Sequence, residues 1–222
     1  MSLRDISFWI RSARADSMLA KIRHEQGSQQ VFDRLYESLH DPWSTAVPYY
    51  RYQLRKYQIV ISLLPLREYR RALDIGCGLG VLTRLLAPHA EQVLGVDVSQ
   101  YAVDYAGRMS PGLSNVQYRQ ADLLKLDTIQ DRQFDLVVAA DMLYYLPSLS
   151  HQVLETARDQ VMALLAPGGT LLLVNHYFFQ FDRSSRLTRE IHNCFRGATG
   201  LHLIREHRRP FYLVSVLERN TD

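Results

Sequence analysis

Between Leu73 and Gly80 the chain reads Leu-Asp-Ile-Gly-Cys-Gly-Leu-Gly, and Asp97 closes the run Val93-Leu94-Gly95-Val96, twenty-one residues after Gly76. An apolar run that ends in closely spaced glycines and passes into helical spacing reads as a strand, a tight turn and a helix. Glycine adopts positive φ at no steric cost and lets another group come close to the backbone. This signature constrains the chain to an open α/β sheet with a ligand crevice at the carboxyl end of its first strand. An acidic residue about twenty positions on, at the tip of the second strand, hydrogen-bonds ribose hydroxyls in such a crevice. The crevice therefore suits an adenosine-bearing cofactor. The spacing is G-x-G-x-G, and position 81, where a dinucleotide turn places its third glycine, is Val. A nicotinamide dinucleotide and S-adenosylmethionine both carry the ribose, so the turn and Asp97 alone leave the two open.

The remaining chain repeats the alternation. Strands are expected over Ala72–Ile75, Gln92–Val98, Val116–Arg119, Phe134–Ala140, Thr170–Val174, Leu201–Arg205 and Phe211–Leu217. Helices are expected over Leu79–Leu86, from an N-cap at Ser99 to Met109, over Val153–Leu165 and over Leu187–Phe195. Phe134–Ala140 is a continuous apolar run, as a strand buried on both faces requires. Pro167-Gly168-Gly169 is read as the stop after the third helix, and Arg208-Arg209-Pro210 as the turn between the last two strands, which must pair antiparallel across so short a link. The fold class is α/β: a doubly wound, mainly parallel seven-stranded sheet, Rossmann-like, with the last strand antiparallel. Before it, Ile6, Trp9, Ile10 and Ala13, then Val31, Phe32, Leu35 and Leu39, then Leu54, Tyr57, Ile61 and Leu64, recur at helical spacing, with breaks at Gly27-Ser28, Asp41-Pro42-Trp43 and Pro65. Residues 1–68 are expected to form an N-terminal helical lid on a core of residues 69–222. Trp43, Tyr49, Tyr50 and Tyr57 are its stacking candidates, with plain helix core as the competing reading.

The 222 residues suffice for a full hydrophobic core without disulfides or metals. With 26 Lys and Arg against 23 Asp and Glu, the charge is only +3. A nucleic-acid partner is disfavoured, since it calls for a dense basic face. A small acidic substrate remains allowed. One of the two cysteines, Cys77, lies inside the glycine turn, so no structural disulfide is expected and a reducing compartment fits. No stretch approaches about 20 apolar residues, and Arg4, Asp5 and Arg11 interrupt any leader. A cytoplasmic location without membrane association is expected; the oligomeric state is not readable.

Three acidic residues fall at the tips of three successive strands: Asp97, Asp122 after Gln120-Ala121, and Asp141 after Ala139-Ala140. With the glycine turn, Gly95-Val96-Asp97-Val98-Ser99, Gln120-Ala121-Asp122-Leu123, Phe134-Asp135-Leu136-Val137-Val138 and Leu165-Ala166-Pro167-Gly168-Gly169, the chain from residue 71 to about 175 resembles the class I S-adenosylmethionine-dependent methyltransferases. More narrowly, Asp41-Pro42-Trp43, Arg55-Lys56-Tyr57, Leu64-Pro65, Tyr69-Arg70-Arg71, Gly80-Val81-Leu82-Thr83 and Leu143-Tyr144-Tyr145-Leu146 resemble the rhizobial nodulation methyltransferases, which N-methylate a deacetylated chitooligosaccharide. The resemblance implies S-adenosyl-L-methionine as cofactor. It puts Gly76, Gly78 and Gly80 against the methionine part and ribose, with Asp74 and Cys77 of the same motif. It puts Asp97 on the ribose hydroxyls, Asp122 on adenine, Val98 and Leu123 about the adenine ring, and the Ala139 backbone near the methionine amine.

The sulfonium of that cofactor is already electrophilic, so the protein must align a nucleophile with the S–CH₃ bond and exclude water. An amine must also be neutral, which a base assists. Asp141 is the first candidate to orient or deprotonate it, with a capping role as the alternative. His176, at the end of the fifth strand, and Tyr144 follow; His192, His202 and His207 are less well placed. No metal-ligand spacing is present. Transfer of a methyl group to a small-molecule acceptor is expected. The acceptor class expected first is an amine of an amino sugar, oligosaccharide or natural-product intermediate, with O-methylation, a nicotinamide-dependent oxidoreductase and a non-catalytic cofactor-binding protein as alternatives.

Overall fold

The computed structural model describes residues 11–19, 28–46, 51–129, 133–178 and 182–221. Ile6, Trp9, Ile10, Gly27, Tyr49 and Tyr50 lie outside them. Seven strands, β1 (Tyr69–Ile75), β2 (Ala90–Asp97), β3 (Val116–Gln120), β4 (Phe134–Ala140), β5 (Leu165–Tyr177), β6 (Leu201–Arg209) and β7 (Phe211–Arg219), form one sheet in the order β3-β2-β1-β4-β5-β7-β6. β7 runs antiparallel to both of its neighbours, and the other pairings are parallel. The chain runs outward from β1 to β3 on one side and from β4 onward on the other. The strand order therefore reverses between β1 and β4, where an open sheet leaves its crevice.

Helices are α1 (residues 11–19), α2 (Ser28–Leu39), α3 (Arg51–Ile61), α4 (Val81–Leu86), α5 (Gln100–Arg108), α6 (His151–Leu164) and α7 (Arg183–Arg196). The side-chain period of two in a strand divides the core between two faces. Leu73, Val137, Ala139, Leu171 and Leu173 join Leu154, Val161, Ile191 and Phe195 of α6 and α7. Their neighbours Ala72, Leu136, Val138, Leu172 and Val174 join Tyr57, Val60, Leu82 and Leu86 of α3 and α4. Each such Leu or Val, removed from water, contributes about 1.5–3 kcal/mol. Ser99 is the N-cap of α5, its hydroxyl accepting from Ala102 N at 3.2 Å.

Several boundaries differ from the sequence reading, three of them at turns. β5 begins at Leu165, not Thr170, because Ala166–Gly169 bulge out between the pairs Phe134↔Leu165 and Leu136↔Thr170. Gly168, at φ +68°, lets the chain leave the ladder and return. β6 keeps Arg208 and Arg209 in its ladder, paired with Leu213 and Tyr212, so only Pro210 and Phe211 turn the chain. Phe211 has φ +79°, an unusual conformation for a bulky residue. α4 starts at Val81 with Gly80 as a left-handed N-cap.

Candidate functional site

The carboxyl ends of β1, β2, β4 and β5 and the residues just after β3 open onto one cavity of about 470 Å³, whose wall includes Gly76, Asp97, Asp122, Asp141 and His176. Helical residues of α1, α2 and α3 also line it, among them Phe32, Tyr36, Lys56 and Tyr57. Trp43 and Tyr57, two of the expected stacking aromatics, are in the wall.

The glycine turn is closed by Gly76 N and Cys77 N, which both donate to Val96 O at 2.8 and 2.9 Å. Gly78 has φ +51°, and a Cβ there would lie 2.9 Å from the Tyr36 hydroxyl. Gly78 N donates to Asp97 Oδ2 and Ser99 N to Asp97 Oδ1, both at 2.9 Å. Asp97 thus ties the turn to the start of α5 and keeps further lone pairs for a ligand. It is 8% exposed, and burial pushes its pKa up to about 6. The buried Cys77 thiol is likewise raised well above its usual range, so it stays protonated. Cys77 and Cys194 are both free.

Asp122 accepts from Leu124 N at 3.0 Å, which caps the 3-10 turn Leu123–Thr128, and it also lines the cavity with Leu123 and Val98. Three of the expected cofactor residues sit behind the wall. Asp74 is 2% exposed and accepts from Thr83 Oγ1 at 2.7 Å; burial raises its pKa to about 7. Gly80 packs beneath Tyr118, whose hydroxyl would be 2.6 Å from a Cβ. Ala139 is in the core, and its neighbour Ala140 faces the cavity, because adjacent strand residues point to opposite faces.

Asp141 follows β4 with φ +55°, its N–H donating to Val174 O at 2.7 Å. Its Oδ2 accepts from Lys56 Nζ of α3. Its Oδ1 is buried with no hydrogen-bond partner among the described residues. The Tyr144 ring stands 4.3 Å from the His176 ring and 4.4 Å from that of Tyr145. Burial raises the Tyr144 and Tyr145 hydroxyls well above their usual value and lowers His176 below 6.5. At neutral pH all three are uncharged, so His176 has a lone pair and the tyrosines act as donors. Asp16 of α1 accepts from Trp43 Nε1 at 3.1 Å and Tyr145 Oη at 2.8 Å.

Sequence reasoning missed Asp16, Tyr36, Gln53, Lys56, Phe178 and Phe211 as wall residues. For α3 a signal existed: Tyr52, Gln53, Lys56 and Tyr57 recur on one helical face, and a lysine amid aromatics on a face that packs inward needs a partner. The partner itself, eighty-five residues away, has no local signature. Among the described residues, no three of His, Cys, Asp and Glu are grouped to hold a metal. Among them, too, no helix is long and apolar enough to cross a membrane.

This sheet order, with a glycine turn after β1 and carboxylates at the following strand tips, is the Rossmann-like fold of the class I S-adenosylmethionine-dependent methyltransferases. Residues 73–173 match the family model described as a methyltransferase domain. The chain is similar to Nodulation protein S of Rhizobium tropici, 30% identical over 133 residues, which cover 60% of this chain and 53% of the relative. It is 36% identical over 117 residues to a ubiquinone biosynthesis O-methyltransferase of Methylococcus capsulatus, covering 52% of this chain and 45% of the relative. The chain spans about half the length of the curated relatives it matches. Among solved structures it resembles the N-methyltransferase NodS of Bradyrhizobium japonicum in complex with S-adenosyl-L-homocysteine, with a TM-score of 0.72 at 23% identity over 87% of this chain and 99% of the other. A DhpI complex with the same demethylated cofactor gives a TM-score of 0.64 at 26% identity over 88% and 97%.

Proposed function

We propose that the methyltransferase domain of this chain holds S-adenosylmethionine in the cavity and passes its methyl group to a neutral amine of a small molecule. The observation that carries this reading is the charge of the wall. Among the described lining residues, four are carboxylates (Asp16, Asp97, Asp122 and Asp141) and Lys56 is the one cation. A cationic sulfonium suits such a wall, whereas the pyrophosphate of a dinucleotide would face like charge. Asp97 would hold the ribose hydroxyls, Asp122 the adenine amino group, and Val98 and Leu123 the ring. The bound cofactor supplies an activated methyl group. The chain's own groups orient the acceptor, exclude water and handle its proton. Asp141 Oδ1, buried without a donor among the described residues, is a seat for an amine N–H. Neutral His176 beside Tyr144 is the second proton acceptor. The described residues of 1–68 form the lid over the described core of 69–222, and the protein works in the cytoplasm on an amino sugar, oligosaccharide or natural-product amine. The N-methyltransferase title of the Bradyrhizobium structure supports the amine; the O-methyltransferase relatives keep a hydroxyl acceptor as the second reading.

The test measures S-adenosylhomocysteine release with glucosamine, phenethylamine and catechol, with calorimetry for cofactor binding. Turnover is expected with the amines, falling about a hundredfold or more in Asp141→Asn with cofactor affinity nearly intact, as loss of a group that handles a proton predicts. Methylation of catechol alone would reverse the N-directed reading. Binding of NAD without S-adenosylhomocysteine would overturn the cofactor.

A further inference from the structure

We infer that Lys56 is a positioning residue that keeps the bound acceptor amine in its neutral, nucleophilic form. This rests on the amine reading above. Lys56 is 4% exposed, on the cavity face of α3, and its ammonium meets Asp141 Oδ2. A buried ammonium is costly unless paired and has no packing purpose that an apolar side chain would not serve better. The pair is not an isolated core tie. It sits in the cavity wall, beside the Tyr212 ring at 5.4 Å, on a carboxylate whose backbone is held at positive φ. Such strained backbone collects at functional sites. Two buried acceptors in that wall, Asp141 Oδ1 and Gln53 Oε1, have no donor among the described residues. Gln53 lies one turn before Lys56 in α3, so the space beside the ion pair is built to receive N–H or O–H donors.

The charge arithmetic gives Lys56 its role. An unpaired Asp141 would hold the acceptor as an ammonium, whose nitrogen has no lone pair. With Asp141 already neutralised by Lys56, an entering ammonium would be a third cation beside Lys56 and the sulfonium. A nearby like charge disfavours the charged form of an amine. The amine therefore loses its proton to water on binding and keeps an N–H on Asp141 Oδ1. Its lone pair then attacks the methyl carbon. The C–N bond forms as the C–S bond breaks, the C–S electrons stay on sulfur as a neutral thioether, and the product ammonium gives its proton to the neutral imidazole of His176. The other titratable groups facing this space are Asp16 of α1, Tyr52 and Tyr57 of α3, Tyr144 and Tyr145 after β4, and His176 of β5. Burial keeps Tyr57, Tyr144, Tyr145 and His176 uncharged. Asp16 is occupied by Trp43 and Tyr145. Asp97 and Asp122 stand at the cofactor strand tips, leaving Lys56 as the cation that acts on the amine.

The experiment uses the whole chain saturated with S-adenosylhomocysteine and glucosamine carrying ¹³C at the amine-bearing carbon. The ¹³C shift of the bound sugar is followed with pH, because it reports amine protonation. The bound amine is expected to titrate at least about one unit below free glucosamine in the wild type, with most of that difference gone in Lys56→Met and much of it kept in Lys56→Arg. The acid limb of kcat, which reports the enzyme–substrate complex, should move upward in Lys56→Met by the same amount. A bound amine that titrates no lower than free glucosamine in the wild type overturns the inference even if Lys56→Met does not fold. Equal titration in wild type and Lys56→Met, with glucosamine bound to both, also overturns it and leaves the amine reading standing. No binding of glucosamine or phenethylamine to the wild type overturns the amine reading itself.

Discussion

Asp97 offers the sharpest test of the cofactor site, because its charge state and its ligand are coupled. Burial raises its pKa to about 6. Ribose hydroxyls donate to the carboxylate and not to the acid, so a ligand on Asp97 prefers the ionised form. The sign follows: affinity is full above pH 6 and is lost as pH falls through it. At pH 5 about one molecule in eleven carries the ionised group, so the Kd for S-adenosylhomocysteine should rise about tenfold between pH 7.5 and pH 5. Near pH 6 binding should release part of a proton. Asp97→Ala removes the charge-assisted acceptors, a loss of roughly 1.5–3 kcal/mol that raises the Kd about tenfold or more at pH 7.5. The variant should then show little further change down to pH 5. Calorimetry across this range, in buffers of different ionisation heat, reads both affinity and protons. A wild-type Kd that does not change with pH would refute the coupling. An Asp97→Ala Kd equal to wild type at pH 7.5 would remove Asp97 from the ribose altogether.

Two further variants test the buried groups around the site. Asp74, raised to about 7 by burial despite the Thr83 hydroxyl, is favoured by folding as the acid; that stability is present below about pH 4 and lost as pH rises through 7. Asp74→Asn should therefore raise the unfolding free energy by up to about 4 kcal/mol at pH 8 and by almost nothing at pH 4, read by urea unfolding; equal effects at both pH values would contradict the burial argument. His192, 1% exposed between Ser215 Oγ and Asn175 Oδ1, has its pKa lowered to about 3 by burial. Its neutral form is favoured by folding, so stability present above pH 6.5 falls by about 3 kcal/mol on acidification to pH 4, a loss that His192→Gln should abolish in the same assay. An unchanged acid slope in that variant would place the acid lability elsewhere.

What could be read from the sequence follows from how local each signal is. The apolar run Phe134–Ala140, the glycine turn and the Ser99 cap are set by residues within a few positions of one another, and the structure has all three. Strand tips carry Asp97, Asp122 and Asp141 to one edge because parallel strands joined by crossover helices all end on the same side. The resemblance puts the Ala139 backbone near the methionine amine; the period of two turns the Ala139 side chain into the core and brings Ala140 to the cavity wall. The start of β5 was hidden because Pro167-Gly168-Gly169 reads as a stop, and only pairing with β4 shows that the strand resumes. Tyr36 against Gly78, Asp33 accepting from Ser99 Oγ at 2.6 Å, and Lys56 on Asp141 join segments far apart in the chain. Their partners are decided by how α2 and α3 pack on the sheet, which no spacing encodes.

The wall also holds two opposed demands that bear on the chemistry. Four carboxylates draw in a cation, which suits the sulfonium but would equally hold an acceptor amine in its unreactive protonated form. The carboxylates differ in what already satisfies them. Asp97 has two backbone donors and Asp122 one, and both lie at the cofactor strands. Asp16 accepts from Trp43 and Tyr145, and Asp141 has a full counter-charge in Lys56. The negative field is thus left strongest where the donor cation would rest and is cancelled where the nucleophile would sit. On the proposed reading, a single lysine of α3 would let one cavity favour a charged methyl donor and a neutral acceptor together. Lys56→Met should then depress turnover with amines far more than it weakens S-adenosylhomocysteine binding. An equal loss in both would mean that Lys56 serves only to hold α3 against the sheet.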